Sequence, residues 1–203
     1  MDEAHKDERG PSVDQQPSPL PLRSSVPLLS QMARDLTRDG ALRPATAAAM
    51  WTAYAAHTAV TGWFLARRPV RAPLPSSRPA GRAAGAGLVV AGLGACVAGM
   101  SRFAGPDEVT GTRNQPLTTT GIYRLSRNPQ YLGYLLALTG ASVARGSGGA
   151  LGATGALAAA YVVWVPVEEH HLADLHGRPY LDYLGRTRRW WGTKNDPALP
   201  SAR

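Results

Sequence analysis

Two short segments of the chain carry side chains that could hold a small charged ligand. The first is Arg127-Asn128-Pro129-Gln130-Tyr131, and the second is the carboxylate pair Glu168-Glu169. A guanidinium binds carboxylates through paired hydrogen bonds, a carboxylate binds ammonium groups or hydroxyls, and aromatic faces attract cations. These residue types therefore suit a ligand that carries charges of both signs.

Both segments also have a purely structural interpretation. Asn is a favourable N-cap and Pro is favoured in the first turn, so Asn128-Pro129 predicts the start of a helix. Glu168-Glu169 ends an apolar run, where the two acids could form a solvated helix surface. The residues alone leave both interpretations open.

A third group lies near the C-terminus, where Tyr180 and Tyr183 share one helix face and the run 188–191 reads Arg-Arg-Trp-Trp. Tyr, Trp and Arg are typical anchors at a membrane interface. Nucleic-acid binding is the other use of basic and aromatic patches, but too few residues are present to favour it.

Histidines beside the acids raise the question of a metal site. Glu168 and His171 are three residues apart and share a helix face. The sequence offers no second Glu/His pair, and its one cysteine, Cys96, lies in an apolar run. We therefore expect neither a metal nor a disulfide within the chain.

Four apolar stretches must position these groups, at 44–66, 83–105, 129–144 and 150–167. At 1.5 Å per residue the longest gives about 34 Å of helix, enough to cross a hydrocarbon core. The tight turn at 145–149 predicts that the last two helices form a hairpin, which brings Asn128-Pro129 and the acids to the same membrane face.

The pattern predicts an all-α, polytopic membrane helix bundle with about four transmembrane helices. A soluble bundle with buried Ala/Gly helices is the alternative, but so many long apolar stretches are hard to bury in 203 residues. We expect a membrane domain at 44–191, a disordered or surface-lying tail at 1–43 and a disordered end at 192–203. Within the N-terminal tail, 1–25 is predicted to be disordered and 27–39 to form a short amphipathic helix.

The charge distribution predicts an orientation in the membrane. The formal net charge is +8, which is typical of nucleic-acid binding, an anionic membrane surface or basic loops beside membrane helices. With four crossings, both tails and the 106–128 loop share one side, and that side carries the excess of arginine. We therefore predict cytoplasmic N- and C-termini. The Arg-, Ala- and Gly-rich composition indicates a bacterial plasma membrane.

Three consecutive parts of the sequence, taken in order, resemble one family. They are PLTTTGIYRLSRNPQYLGY, an apolar hairpin and EEHHLADLHGRPYLDYLGRTRRW. The family is the isoprenylcysteine carboxyl methyltransferase and phospholipid methyltransferase superfamily of integral membrane enzymes. The resemblance covers residues 105–191. It implies S-adenosylmethionine as cofactor, bound at the cytoplasmic edge between the last two membrane helices and the C-terminal tail.

The resemblance also implies which residues form that site. The family's pattern consists of an Arg-His-Pro-x-Tyr element, a Glu-Glu pair, two tyrosines in the tail and an arginine near its end. The implied cofactor-binding residues are Tyr123, Arg124, Arg127, Asn128, Pro129, Tyr131, Glu168, Glu169, Tyr180, Tyr183 and Arg189. Arg127, Glu168 and Glu169 are also implied to be catalytic. Asn128 departs from the pattern, since many members have His there and Asn cannot act as a general base.

The implied function is methylation of a lipophilic acceptor, such as an isoprenoid thiol or carboxylate, a phospholipid amine or a small apolar metabolite. The expected partners are membrane lipids and this acceptor, with no nucleic acid. One alternative is an NADPH-dependent reductase of the sterol-reductase type, which has a similar Arg-x-Pro-x-Tyr element. The other is a non-catalytic membrane homologue.

Overall fold

The computed structural model describes residues 26–67, 79–114 and 116–194, and within these ranges the regular structure is helical apart from one isolated bridge between Thr187 and Thr193. The elements are α1 (Pro27–Asp39), α2 (Pro44–Ala66), α3 (Pro79–Met100), α4 (Pro106–Val109), a 3-10 turn (Gly121–Arg124), α5 (Pro129–Arg145), α6 (Gly148–His176) and α7 (Arg178–Arg186). The predicted all-α fold class is confirmed.

The predicted disordered segments lie largely outside the described residues. This holds for 1–25 and for 195–203. Residues 192–194, which were included in the disordered C-terminus, are instead held against the rest of the protein. The Gly192 N–H donates to the Leu125 carbonyl at 2.7 Å, and the Lys194 N–H donates to the Arg186 carbonyl at 2.8 Å.

Two helices differ from the boundaries expected from the sequence. Helix α3 begins at Pro79 instead of residue 83, since Pro suits a first turn, and it ends at Met100 instead of residue 105. Helix α6 continues past residue 167 to His176. Its ends carry local signals: the Ser147 hydroxyl accepts from the Ala150 N–H, and Gly177 adopts φ 56°, which favours glycine.

Helices α3 and α5 pack with their backbones in direct contact. Gly85, Gly92 and Gly99 recur at seven-residue intervals on α3, and Gly133 and Gly140 face them from α5. A Cβ atom at Gly92 would lie 2.5 Å from the Gly133 carbonyl oxygen. Small residues of this kind let helices approach closely in lipid, where no hydrophobic effect drives them together.

Helix α1 forms as predicted at 27–39, but one of its faces is buried in the bundle. Met32, Ala33 and Leu36 are buried in one cluster with Trp164 and Val167 of α6. Residues 27–39 are therefore docked on the bundle, because the apolar face of α1 meets Trp164 and Val167 of α6.

An ion pair between a buried carboxylate and an exposed guanidinium joins α1 to the start of α2. Asp35 is 1% exposed, and its carboxylate lies 2.7 Å from the Arg43 guanidinium. Burial alone would raise the pKa of Asp35, but hydrogen bonds from Arg43 and Thr46 outweigh burial and lower the pKa to about 2. The carboxylate is therefore charged at neutral pH and holds α1 to the start of α2.

Two helices in the described ranges, α3 and α6, are long and apolar enough to cross a membrane. Only 17% and 28% of their most apolar windows are buried inside the protein, unlike the core helices of a soluble bundle. Large apolar side chains are exposed on both helices, among them Val90, Val97 and Val162. Surfaces of this kind suit contact with lipid.

We predict that Gly92→Ala destabilises the protein, whereas Gly94→Ala on the same helix does not. Overpacking costs about 1–3 kcal/mol. A Cβ at Gly94 meets nothing within 4 Å, so that substitution should instead raise helix stability by about 1 kcal/mol. Thermal unfolding in detergent measures the difference, and equal melting temperatures for the two variants would contradict the close packing of α3 on α5.

Candidate functional site

The residues singled out in the sequence gather at one end of the bundle, where the 3-10 turn leads into α5 and α6 leads into α7. Asn128 occupies the N-cap position of α5, as its sequence context predicts. Its side chain makes no capping hydrogen bond, however. The side-chain amide of Asn128 donates to the Arg189 carbonyl at 3.2 Å and so links the start of α5 to the C-terminal tail.

Arg127, Glu169 and Arg189 form what we call the arginine cluster. The Arg127 guanidinium lies 2.8 Å from one Glu169 oxygen, and the Arg189 guanidinium lies 2.7 Å from the other. Arg127 also donates to the carbonyls of Thr187 at 2.7 Å and Leu184 at 3.4 Å. Because most of its donors are used within the chain, Arg127 has little capacity left for a ligand.

The tail tyrosines form a small core beneath the 3-10 turn. Tyr180 and Tyr183 are 1% and 3% exposed, and both contact Tyr123 or its neighbours in one apolar cluster. The Tyr183 hydroxyl donates to the Tyr123 carbonyl at 2.6 Å. Burial raises the pKa of both tail phenols and raises that of Tyr123 to about 12. These rings hold the turn in place, while Arg124 is exposed beside them.

A cavity of about 800 Å³ opens next to the arginine cluster, between α2, α3, α5 and α6. Its volume is in the range of small-molecule sites. Most of the wall is apolar or aromatic. The aromatic lining residues are Trp51, Tyr54, Phe103, Tyr131, Tyr134, Tyr161 and Trp164. Of the residues singled out in the sequence as cofactor ligands, only Tyr131 and Glu168 are among those that line it.

The two adjacent glutamates therefore face different surroundings, because neighbours on a helix point about 100° apart. Glu169 enters the arginine cluster, whereas Glu168 lines the cavity. The Glu168 carboxylate accepts from the Tyr131 hydroxyl at 3.0 Å, and that hydroxyl accepts from the Trp164 indole at 3.1 Å. No salt bridge reaches Glu168 within the described part of the chain.

Motif reasoning missed most of the cavity wall, although the sequence contains a signal for it. Aromatic residues recur three apart on three helices, at 51/54, 131/134 and 161/164. Each pair lies on one helix face, and all three faces line the cavity. The Tyr54 and Tyr161 hydroxyls meet at 3.0 Å, and the Tyr134 hydroxyl lies 2.8 Å from that of Thr58.

A polar rim on the cavity was also missed, because it belongs to the 104–114 segment, which carries no motif. Glu108, Arg113 and Asn114 line the cavity there, together with His171 of α6. Asn114 and His171 lie within hydrogen-bonding distance, at 3.2 Å. Across the described ranges, no group of three or more His, Cys, Asp or Glu residues is arranged to hold a metal ion.

Two comparisons with known proteins bear on this site. Residues 81–178, just under half of the chain, match the family model "Phospholipid methyltransferase". The chain is also 36% identical over 76 residues to protein-S-isoprenylcysteine O-methyltransferase B of Arabidopsis thaliana. That match covers 34% of this chain and 36% of the relative, so it spans about a third of the relative's length. No solved structure matches.

The described structure is helical, and both matches are to methyltransferases. Both matches support the resemblance to the isoprenylcysteine carboxyl methyltransferase and phospholipid methyltransferase superfamily that the motifs indicated. Neither match gives support to a reductase.

We predict that Glu169→Gln loosens the C-terminal tail. The substitution leaves two guanidiniums without their shared carboxylate, and removing one partner of a buried ion pair costs about 3–5 kcal/mol. Asp182→Asn is the matched control, because Asp182 pairs with Arg178 on an exposed surface. Thermal unfolding and proteolysis after α7 report the effect. Equal behaviour of the two variants would show that the arginine cluster does not hold the tail.

Proposed function

We propose that the chain is an integral membrane methyltransferase that uses S-adenosylmethionine to methylate a lipophilic acceptor. The observation that carries this proposal is the aromatic cavity with one unpaired carboxylate, Glu168, in a chain of this superfamily. The superfamily matches make methyl transfer the expected chemistry, and the cavity offers a place for it.

The lining residues fit the chemical groups of the cofactor. S-adenosylmethionine carries a sulfonium, an ammonium, a carboxylate and an adenine ring, and when bound it would supply an electrophilic methyl group. Aromatic faces such as those of Tyr131 and Trp164 suit the sulfonium and the adenine. The Glu168 carboxylate suits the ammonium, because it has no cation of its own in the described structure.

In this proposal the arginine cluster positions the site and does not contact the methyl group. Glu169 clamps the start of α5 to α6 through Arg127, and this holds Tyr131 opposite Glu168. Methyl transfer to an acceptor is an in-line displacement that needs alignment and exclusion of water. The departure at Asn128 matters little here, since its side chain binds the tail and does not line the cavity.

The acceptor is proposed to enter from the bilayer. Trp51, Ala55 and Ala59 of α2 line the cavity, and all three are exposed. An apolar molecule could reach the cavity past this helix, while a soluble cofactor enters from the polar rim. An isoprenoid thiol or carboxylate, a phospholipid amine and a small apolar metabolite all meet this requirement.

Cofactor binding tests the proposal directly. We expect purified protein in detergent to bind S-adenosylhomocysteine saturably by calorimetry and not to bind NADPH. Glu168→Gln should weaken binding about 10- to 100-fold, the range expected for one lost charge-assisted hydrogen bond. Asp182→Asn should leave it unchanged. The proposal fails if the wild-type protein shows no saturable binding. Labelled methyl transfer into a membrane extract would then identify the acceptor.

We further propose that α2, α3, α5 and α6 each cross the plasma membrane of a bacterium, with both termini in the cytoplasm. Exposed Trp51, Val60 and Trp63 on α2 support a lipid-facing surface on that helix. A reporter fused after Arg203 should be active on the cytoplasmic side, and one inserted at position 73 on the opposite side. A periplasmic signal from the C-terminal fusion would exclude this topology.

A further inference from the structure

The cavity needs a cation as well as a carboxylate if it is to hold the amino-acid end of the proposed cofactor. Arg127 and Arg189 were the natural candidates, but both guanidiniums are bound to Glu169. Neither lines the cavity. Among the described residues, Arg113 is the arginine that does so.

Arg113 is held at the rim by a buried anchor. The Glu108 side chain is 2% exposed; one of its oxygens accepts from the Arg113 guanidinium at 3.0 Å and the other from the Ala104 N–H at 2.8 Å. Glu108 is therefore satisfied from within the protein. The Arg113 side chain is itself 64% exposed, and Glu108 is its one side-chain partner in the described ranges. The remaining donors of its guanidinium are free for a ligand.

The backbone around Arg113 is also fixed. The Leu42 N–H donates to the Gly111 carbonyl at 2.9 Å, and the Arg113 N–H donates to the Asp107 carbonyl at 3.1 Å. Gly111 adopts φ 74°, a conformation that a side chain would disfavour. The segment is thus a built part of the cavity wall.

The segment that carries Arg113 docks close to Glu168. Asn114, the next residue, lies 3.2 Å from His171 of α6. His171 follows Glu168 by three residues, so the two are separated by one helical turn, roughly 5 Å along α6. Arg113 and Glu168 therefore line one cavity from two segments that are in contact.

We propose that Arg113 binds the carboxylate of the amino-acid part of S-adenosylmethionine, while Glu168 binds its ammonium. This inference rests on the proposed function. An ion pair that already orients the guanidinium leaves less entropy to lose when the carboxylate binds. Glu108 acts through Arg113 and does not contact the ligand.

Two ligands that differ by a single group test this assignment. S-adenosylhomocysteine carries the carboxylate, and its decarboxylated analogue keeps the amine and the nucleoside but lacks the carboxylate. Calorimetric titrations of both ligands are made on the wild-type protein and on Arg113→Gln. The matched control is Arg178→Gln, because Arg178 is also paired with an acid, Asp182, but lies outside the cavity.

We expect Arg113→Gln to weaken binding of S-adenosylhomocysteine about 10- to 100-fold. Binding of the decarboxylated analogue should change less than about twofold, since that ligand has no group for Arg113 to contact. Arg113→Lys should recover part of the lost affinity, because it keeps the charge. Arg178→Gln should alter neither affinity.

Other outcomes overturn the inference. Unchanged affinity of Arg113→Gln for S-adenosylhomocysteine would mean that the carboxylate binds elsewhere. Equal losses for both ligands would mean that the substitution acts by disturbing the cavity, because Glu108 is then left without its cation. Failure of the wild-type protein to bind either ligand would instead overturn the proposed function, and this inference with it.

Discussion

The shared carboxylate of Glu169 is the contact on which this end of the molecule depends. It joins three segments that are far apart in sequence: the start of α5 through Arg127, the body of α6, and the tail through Arg189. A carboxylate this deeply buried is tolerated because two guanidiniums neutralise it. With Glu169 committed to this contact, its neighbour Glu168 faces the cavity and accepts a hydrogen bond from Tyr131.

Much of the helical framework could be predicted from local chemistry. Pro44 and Pro129 sit in first turns as their sequence context indicated, and the ordered motifs indicated the superfamily that both comparisons support. The different roles of Glu168 and Glu169 could not be predicted, because they depend on how α6 is rotated against α5. The pairing of Glu108 in α4 with Arg113 was equally hidden, since two charges five residues apart carry no pairing signal until the 104–114 segment is docked.

The role of Asn128, where many members of the superfamily have His, also could not be predicted from the local sequence. Considered as an isolated position, Asn128 raised the question of a missing base. In the structure the side chain donates to the Arg189 carbonyl, and Ser126 donates to the same carbonyl at 3.4 Å. The position therefore serves the junction between helix and tail, a role that no local pattern could reveal because the partner lies in another part of the chain.

The glycine contact between α3 and α5 means that two walls of the cavity are built from different kinds of contact. On that side, Cys96 and Gln130 are carried by two helices whose backbones meet at glycines, which have no side-chain rotamers to change. The wall formed by α2 and α6 instead consists of aromatic side chains, and the Tyr54 and Tyr161 hydroxyls meet there at 3.0 Å. The cavity thus has one wall set by contact between backbones and one set by contacts between aromatic side chains.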